Sequence, residues 1–328
     1  SVLGYAATRV NYDILTYLPD SIDTMVGQEI LQDEFGKGGY SMVVVQGLDD
    51  KDVAKMREEF SQVDGVADVL WYDSIASLSV PKEILPDDLL EKFNTDDSTM
   101  MLVFSGGTSS DETLEALAQL KQIAGKRALI GGMTATISDT RDLTEQEEPI
   151  YVLIAVLLSC LVLAITMDSL MLPILFIASI GMAILYNLGT NIFAGEISYI
   201  TMALAAVLQL GVTMDYSIFL WHSFSENLQY YDTKEEAMAH AIAATFSSVL
   251  GSSMTTVAGF IALCFMSFTL GLDLGIVMAK GVVLGVFSAV VILPALILVF
   301  DKPIHKHKHK VLIPKLQGVA NFTTTHYK

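Results

Sequence analysis

Two patterns of apolar and polar residues divide this chain near Pro149. Before it, short segments alternate in character. GYSMVVVQG (39–47) is rich in β-branched residues, DDKDVAKMREEFSQV (49–63) repeats its apolar positions at helical spacing, and VADVLWYD (66–73) returns to strand. After the link SVPKEILPDDLLEKF the order recurs as TMMLVFSG (99–106), SSDETLEALAQLKQIA (109–124) and RALIGG (127–132). Strand, helix, strand, twice over, predicts a two-layer α/β domain of the split βαβ, ferredoxin-like kind within residues 1–148. Ser109 or Ser110 is placed to cap the second helix.

Beyond Pro149 the apolar runs lengthen. Crossing a hydrocarbon core takes about 20 helical residues, and five segments reach that scale, at about 149–168, 170–188, 198–222, 238–266 and 271–299. The turns at 168–170 and 267–271 are tight, and the connection SFSENLQYYDTKEEA (223–237) is longer and polar. The reading is an α-helical membrane bundle over 149–300, followed by a basic tail at 301–328.

Charge follows the same division. Residues 1–148 carry 28 of the 37 acidic side chains and 11 of the 19 basic ones. Such a head repels nucleic-acid phosphates, which excludes nucleic acid as a partner. Its acids read as a solvated face, with no catalytic constellation among them. Both cysteines, Cys160 and Cys264, lie in apolar runs, so the head depends on its core and not on disulfides.

The tail DKPIHKHKHKVLIPK sets the orientation. By the positive-inside rule it is cytoplasmic, and counting back through five spans places residues 1–148 outside. A folded head on that side needs a route across the membrane, so a further helix is expected upstream in the native protein. In HKHKHK the alternating lysines oppose a bound cation, and a patch on anionic lipid is the better reading. No metal and no cofactor is expected.

Candidate chemistry begins with one acid. Apolar sequence runs from Ile197 to Met214, meets Asp215, and resumes through Leu220. A carboxylate near the middle of a membrane helix costs roughly 2.5–3.5 kcal/mol and usually faces a bundle interior or a water-filled path. Taking the span's centre at Gly211, Asp215 lies about 6 Å toward the cytoplasmic side. There it can take a proton from one side and release it to the other, or merely join helices through a hydrogen bond. Tyr216 is its neighbour, a second relay candidate or an ordinary packing aromatic.

On the fourth span Ser248, Ser252 and Thr255 or Thr256 recur at helical spacing, near the depth of Asp215. These hydroxyls can solvate a transient charge or line a tight helix contact. Gly211, Gly251 and Gly259, with Gly281 and Gly285 on the fifth span, offer close backbone approach. Lys280 sits about 13 Å from Asp215 along the membrane normal, by the rise per residue. A relay role and snorkelling toward the outer surface compete for it. Asp168 and Glu196 read as interfacial.

Four stretches carry a family resemblance: YLPDSIDTMVGQEILQDEFG (17–36), GVTMDYSIFL (211–220), SSVLGSSMTTVAGFIAL (247–263) and GIVMAKGVVLGVFSAVVILPALILVFD (275–301). Together they resemble the resistance–nodulation–division (RND) superfamily, and within it the MMPL-type exporters of lipids and hydrophobes. The resemblance implies a porter-like outside domain, a bacterial plasma-membrane location and proton-driven export of hydrophobic or lipid-like substrate. It also implies a second half-repeat, fused or associated, and one half-repeat here that lacks its first helix. Tyr216 would then donate its hydroxyl to a carboxylate across the repeat interface. Two other functions stay open. A non-transporting, sterol-sensing-like sensor or scaffold of the same fold would tolerate loss of Asp215. An intramembrane aspartyl protease needs two close carboxylates, and only Asp215 lies deep.

Overall fold

The computed structural model describes residues 2–75, 84, 86–193, 195–309, 322 and 325. They form two units, Asn11–Gln146 and a second built from residues 1–10 and 147–328. The chain opens with helix α1 (Val2–Ala7) and strand β1 (Arg9–Asn11), then helix α2 (Asp23–Asp33).

The first unit is built on strands β2 (Gly39–Gln46), β3 (Val66–Leu70), β4 (Ser98–Ser105) and β5 (Ala128–Gly131). Helix α3 (Asp50–Ser61) joins β2 to β3, α4 (Asp87–Phe93) precedes β4, and α5 (Asp111–Ala124) joins β4 to β5. The strand order is β3-β4-β2-β5, with every neighbouring pair antiparallel. Helices α3 and α5 therefore each connect two parallel strands that have a third between them. Burial alternates residue by residue along β2 and β4, so one face of the sheet is covered and the other open.

Local chemistry explains the helix starts. Asp49 accepts from Asp52 N at 2.9 Å, and Ser110 accepts from Thr113 N at 3.2 Å, each satisfying a free amide of the first turn. The covered face packs Val43, Val45 and Met101 against Val53, Met56, Phe60 and Leu117. Trp71 closes one end, its indole donating to Thr99 Oγ1 at 2.7 Å. Nearby, Arg57 faces Asp73 at 3.1 Å, with the Asp73 side chain 9% exposed. Burial pushes the Asp73 carboxyl above its ordinary value, and the Arg57 guanidinium pulls it part of the way back.

The second unit consists of α6 (Met133–Thr166), α7 (Met171–Gly189), strand β6 (Glu196–Ser198), α8 (Tyr199–Asn227), α9 (Lys234–Leu263) and α10 (Leu270–Phe287). Helix α10 continues through a π-helical turn (Ser288–Ile292) into α11 (Leu293–Val299) and α12 (Asp301–Lys306). Its portion of α6 begins at residue 147. Five helical stretches are long and apolar enough to cross a membrane, Met133–Thr166, Met171–Phe193, Tyr199–Asn227, Lys234–Leu263 and Leu270–Val299. The first begins well before the expected 149, because the helix continues back through polar sequence and carries Pro149 inside it.

Helices α8 and α10 run parallel in constant register. Asp273 accepts from Thr201 Oγ1 at 2.6 Å. Further along, Gly281 lies against Gln209, and Gly285 lies against Thr213. Thr201, Gln209 and Thr213 thus form one stripe of α8, and α10 meets the lower two with glycines. An apolar core gathers where α7 starts and α8 ends, with Leu172, Phe176, Trp221, Phe224, Leu293 and Ile297. Along α6, Ile150, Tyr151, Leu153, Leu157 and Leu158 are exposed, a surface suited to lipid.

The tail expected over 301–328 is described to residue 309, and the rest, apart from 322 and 325, lies outside the described residues. Its first part is a packed helix. Ser169 Oγ donates to Ile304 O at 2.9 Å, and His309 N donates to Asp168 O at 2.9 Å.

Two outcomes test the first unit. Leu117→Ala removes a fully buried side chain from between helix and sheet and should cost about 2–5 kcal/mol, seen as faster hydrogen exchange across β2 and β4. Arg57→Met strips Asp73 of its counter-charge and should cost about 2 kcal/mol at neutral pH, after allowance for partial exposure. The folded-state pKa of Asp73 is raised, so the fold favours its protonated form and the cost of burying the carboxylate grows as pH rises. The Arg57→Met deficit should therefore shrink as pH falls through that pKa, read by urea titration at several pH values.

Candidate functional site

Helix α8 places Asp215 two residues past its middle residue, Thr213, about 3 Å along the axis. Within this chain its side chain is exposed on the flank of the bundle. Among the described residues no hydrogen bond or ion pair reaches its carboxylate. The expectation of an interior-facing acid is thus not met by this unit alone.

Tyr216 points the other way. It is 3% exposed and packs with Val249 of α9 and Ala289 of the π-turn. Ser252 approaches its hydroxyl, without hydrogen-bonding geometry, so the hydroxyl has no protein partner among the described residues. A buried phenol left this way is a costly arrangement unless a further group completes it.

The other predicted residues separate into two sets. Ser248, Gly251, Ser252, Thr255 and Gly259 are exposed along α9, while Thr256 is half-buried. Thr255 and Thr256 both donate back to Ser252 O, at 2.7 and 3.1 Å, so their protons are committed to their own helix. A Cβ added to Gly211, Gly251 or Gly259 would meet nothing within 4 Å. The close approach expected at these three is therefore not made among the described residues.

Gly281 and Gly285 behave oppositely. A Cβ on Gly281 would come within 2.6 Å of Asn187 Nδ2, and one on Gly285 within 2.0 Å of Thr213 Cγ2. Lys280 does not join Asp215. Its ammonium donates to Oδ1 of the buried Asn191, just beyond the end of α7. Asp168 accepts from Trp221 Nε1 at 3.1 Å and lies 3.7 Å from Lys308, and Glu196 is exposed at the start of β6.

Sequence reasoning missed a set of polar contacts inside the bundle. Asn187 Nδ2 donates to Gln209 Oε1 at 3.0 Å, and the Ser179 and Ser288 hydroxyls meet at 2.7 Å. Asp273 also accepts from Ser198 N at 2.8 Å, tying the starts of α8 and α10 together. Gly271 and Gly275 were missed as well, although both press α10 onto the backbone of α9 at Leu263 and Phe260. The available signal was the amide in each of LYNLG and VLQLG, polar groups without charge in otherwise apolar runs.

Comparison with known proteins gives this arrangement a context. The chain is 27% identical over 206 residues to the putative membrane protein ActII-3 of Streptomyces coelicolor, covering 61% of this chain and 29% of that protein. It is 22% identical over 246 residues to the mycolic acid-containing lipids exporter MmpL11 of Mycolicibacterium smegmatis, covering 69% of this chain and 25% of the exporter. This chain therefore spans under a third of those relatives' length. A solved structure of SecDF, a translocon-associated membrane protein of Thermus thermophilus, aligns with 88% of this chain and 37% of its own, at 16% identity and a TM-score of 0.47. The model of the MMPL family matches residues 16–312, which takes in the four-stranded sheet of the α/β unit and all five membrane-length helices. This is a multi-pass membrane protein, and the chain belongs to the MMPL family.

Proposed function

We propose that this chain is one half of a proton-driven exporter of hydrophobic or lipid-like molecules. The observation that carries the reading is Asp215, a carboxylate at mid-helix on the exposed flank of an apolar bundle. Facing lipid, it would bear the full insertion penalty of about 2.5–3.5 kcal/mol. A second protein surface that covers it removes that penalty and supplies the missing partner. The open glycines Gly211, Gly251 and Gly259, with the Ser248 and Ser252 hydroxyls, suit close packing of another half-repeat against α8 and α9.

Coupling then arises from charge. Asp215 takes a proton on one side of the membrane and loses it on the other, and each proton moved with the field supplies about 2.3 kcal/mol per 100 mV. The two protonation states favour different packings of α8, α9 and α10, because a neutral acid tolerates apolar neighbours and a carboxylate does not. Tyr216 donates its orphaned hydroxyl within the completed site. The α/β unit, with its ferredoxin-like strand order, serves as the porter domain outside a bacterial plasma membrane. The word "lipids" in the name of the MmpL11 relative, together with the apolar flanks here, favours lipid-like cargo. Residues 301–309 lie on the cytoplasmic side in this reading.

Asp215→Asn in the full-length protein should cut export and proton flux in vesicles at least about tenfold, as loss of an essential ionisable group does, while the fold survives. Transport at the native rate would remove the mechanism. Gly251→Leu tests the second half separately. Nothing lies within 4 Å of a Cβ there, so the helical fold of this half should be unchanged by circular dichroism. Co-purification of the two halves, or transport where they are fused, should fall; undiminished assembly and transport would place the partner surface elsewhere.

A further inference from the structure

The proposed function leaves unused a polar seam between α7, α8 and α10. Asn187 is fully buried and Gln209 is 4% exposed. One hydrogen bond joins them, and a bond between two primary amides leaves an oxygen and a nitrogen over. Asn187 Oδ1 and Gln209 Nε2 are those atoms, and neither has a protein partner among the described residues. Turning both amides over exchanges the roles and leaves the same surplus. Both side chains line one cavity of about 10 Å³, whose other walls include Val212, Phe260 and Met278. That volume is on the order of what a single water needs, and the surplus donor and acceptor are the pair it would bridge.

The seam extends in both directions. Toward the α7–α8 loop, Lys280 donates to Asn191 Oδ1, and the buried Asn191 Nδ2 is without a protein partner among the described residues. Deeper, Thr213 Oγ1 donates to Gln209 O at 2.5 Å. One turn on, Ser217 is 1% exposed with its hydroxyl likewise unpartnered. Gln209, Thr213 and Ser217 run along one face of α8 at four-residue spacing, a stretch of about 12 Å that passes the level of Asp215. Gly281 leaves room for it, since a Cβ there would collide with both amides.

We propose that Asn187 and Gln209 bind an internal water, and that this water completes a hydrated path carrying protons from the α7–α8 loop to the depth of Asp215. Each hop conserves charge: the water accepts a proton from the loop side and releases another to the Thr213 hydroxyl, which gives up toward Ser217 the proton it otherwise donates to Gln209 O. The water site stands on its own geometry; its role in coupling rests on the proton-driven reading.

Radiolytic hydroxyl-radical footprinting of the full-length protein in nanodiscs separates the two. Radicals born from bound water mark the side chains that touch it. Met278, on the cavity wall, should oxidise about tenfold faster than Met238, which is as well buried but sits in the apolar core. Equal, slow rates would overturn the water site. Asn187→Leu with Gln209→Leu, which removes both amides together, should bring Met278 down to the Met238 rate; Gln209→Met alone is the fallback if the pair does not fold. Proton flux in vesicles should fall severalfold in the same variant, and unchanged flux would overturn the path. Should Asp215→Asn leave transport intact, the proton-driven reading fails while the Met278 comparison still decides the water.

Discussion

A polar group on a membrane-length helix needs a polar neighbour, and the organisation of the second unit depends on where each group finds one. Surrounding lipid offers none, so the partner must come from the bundle or from another protein surface. Asp273 finds Ser198 and Thr201, Ser179 finds Ser288, Asn187 finds Gln209, and Lys280 finds Asn191. These ties join α7, α8 and α10 into one block. Among the described residues Asp215 has no such partner, although it lies on the same helix and two residues from the fully buried Thr213. The proposed role of Asp215 rests on this contrast between the paired groups inside the block and a carboxylate on its exposed flank.

The glycines draw the same boundary by sterics. Gly271 and Gly275 bring α10 onto α9, and Gly281 and Gly285 bring it onto α7 and α8, each at distances a side chain would forbid. Gly211, Gly251 and Gly259 have empty space before them. A helix-interior glycine costs up to about 1 kcal/mol relative to alanine. Four of these seven recover that cost through close packing within the chain. The other three recover nothing here, and all three sit on the two helices that carry Asp215 and Ser252.

Much of this was legible in the sequence, for reasons that differ by region. In the α/β unit, a run rich in β-branched residues marked β2, helical spacing marked α3, and Ser109 or Ser110 marked the start of α5, because each signal is local. In the bundle, hydropathy located the apolar runs but not the helix ends. Helix α6 extends back to Met133 through TRDLTEQEE, since backbone hydrogen bonding does not stop where apolar residues do. Asp215 and Lys280 stood out by charge. Asn187, Asn191 and Gln209 did not, because a neutral amide barely lowers the hydropathy of its window. Whether Asp215 faced inward was not readable either: that depends on which flank the neighbouring helices cover, a tertiary fact that helical periodicity alone does not supply.

The π-helical turn shows how the two faces are kept distinct. Through Gly281 and Gly285, α10 tracks α8 in fixed register, and just beyond, in the π-turn, Ala289 joins the apolar cluster that holds Tyr216. Had the α-helix continued unchanged, the same stripe would have run on along α8. The π-turn at Ser288–Ile292 widens the helix and rotates α11 relative to α10. Leu293 and Ile297 are thereby aimed into the apolar core with Phe176 and Phe224. Pro294 lacks the amide proton that a regular helix would use, and directly after the wide turn that loss matters less. The reciprocal bonds between Ser179 and Ser288, including Ser288 Oγ to Ser179 O at 2.7 Å, pin the place where the register changes. Above it the bundle is held by amides and glycines, and below it by large apolar side chains. Tyr216, beside Asp215, packs with Val249 and Ala289 at the boundary between these two modes.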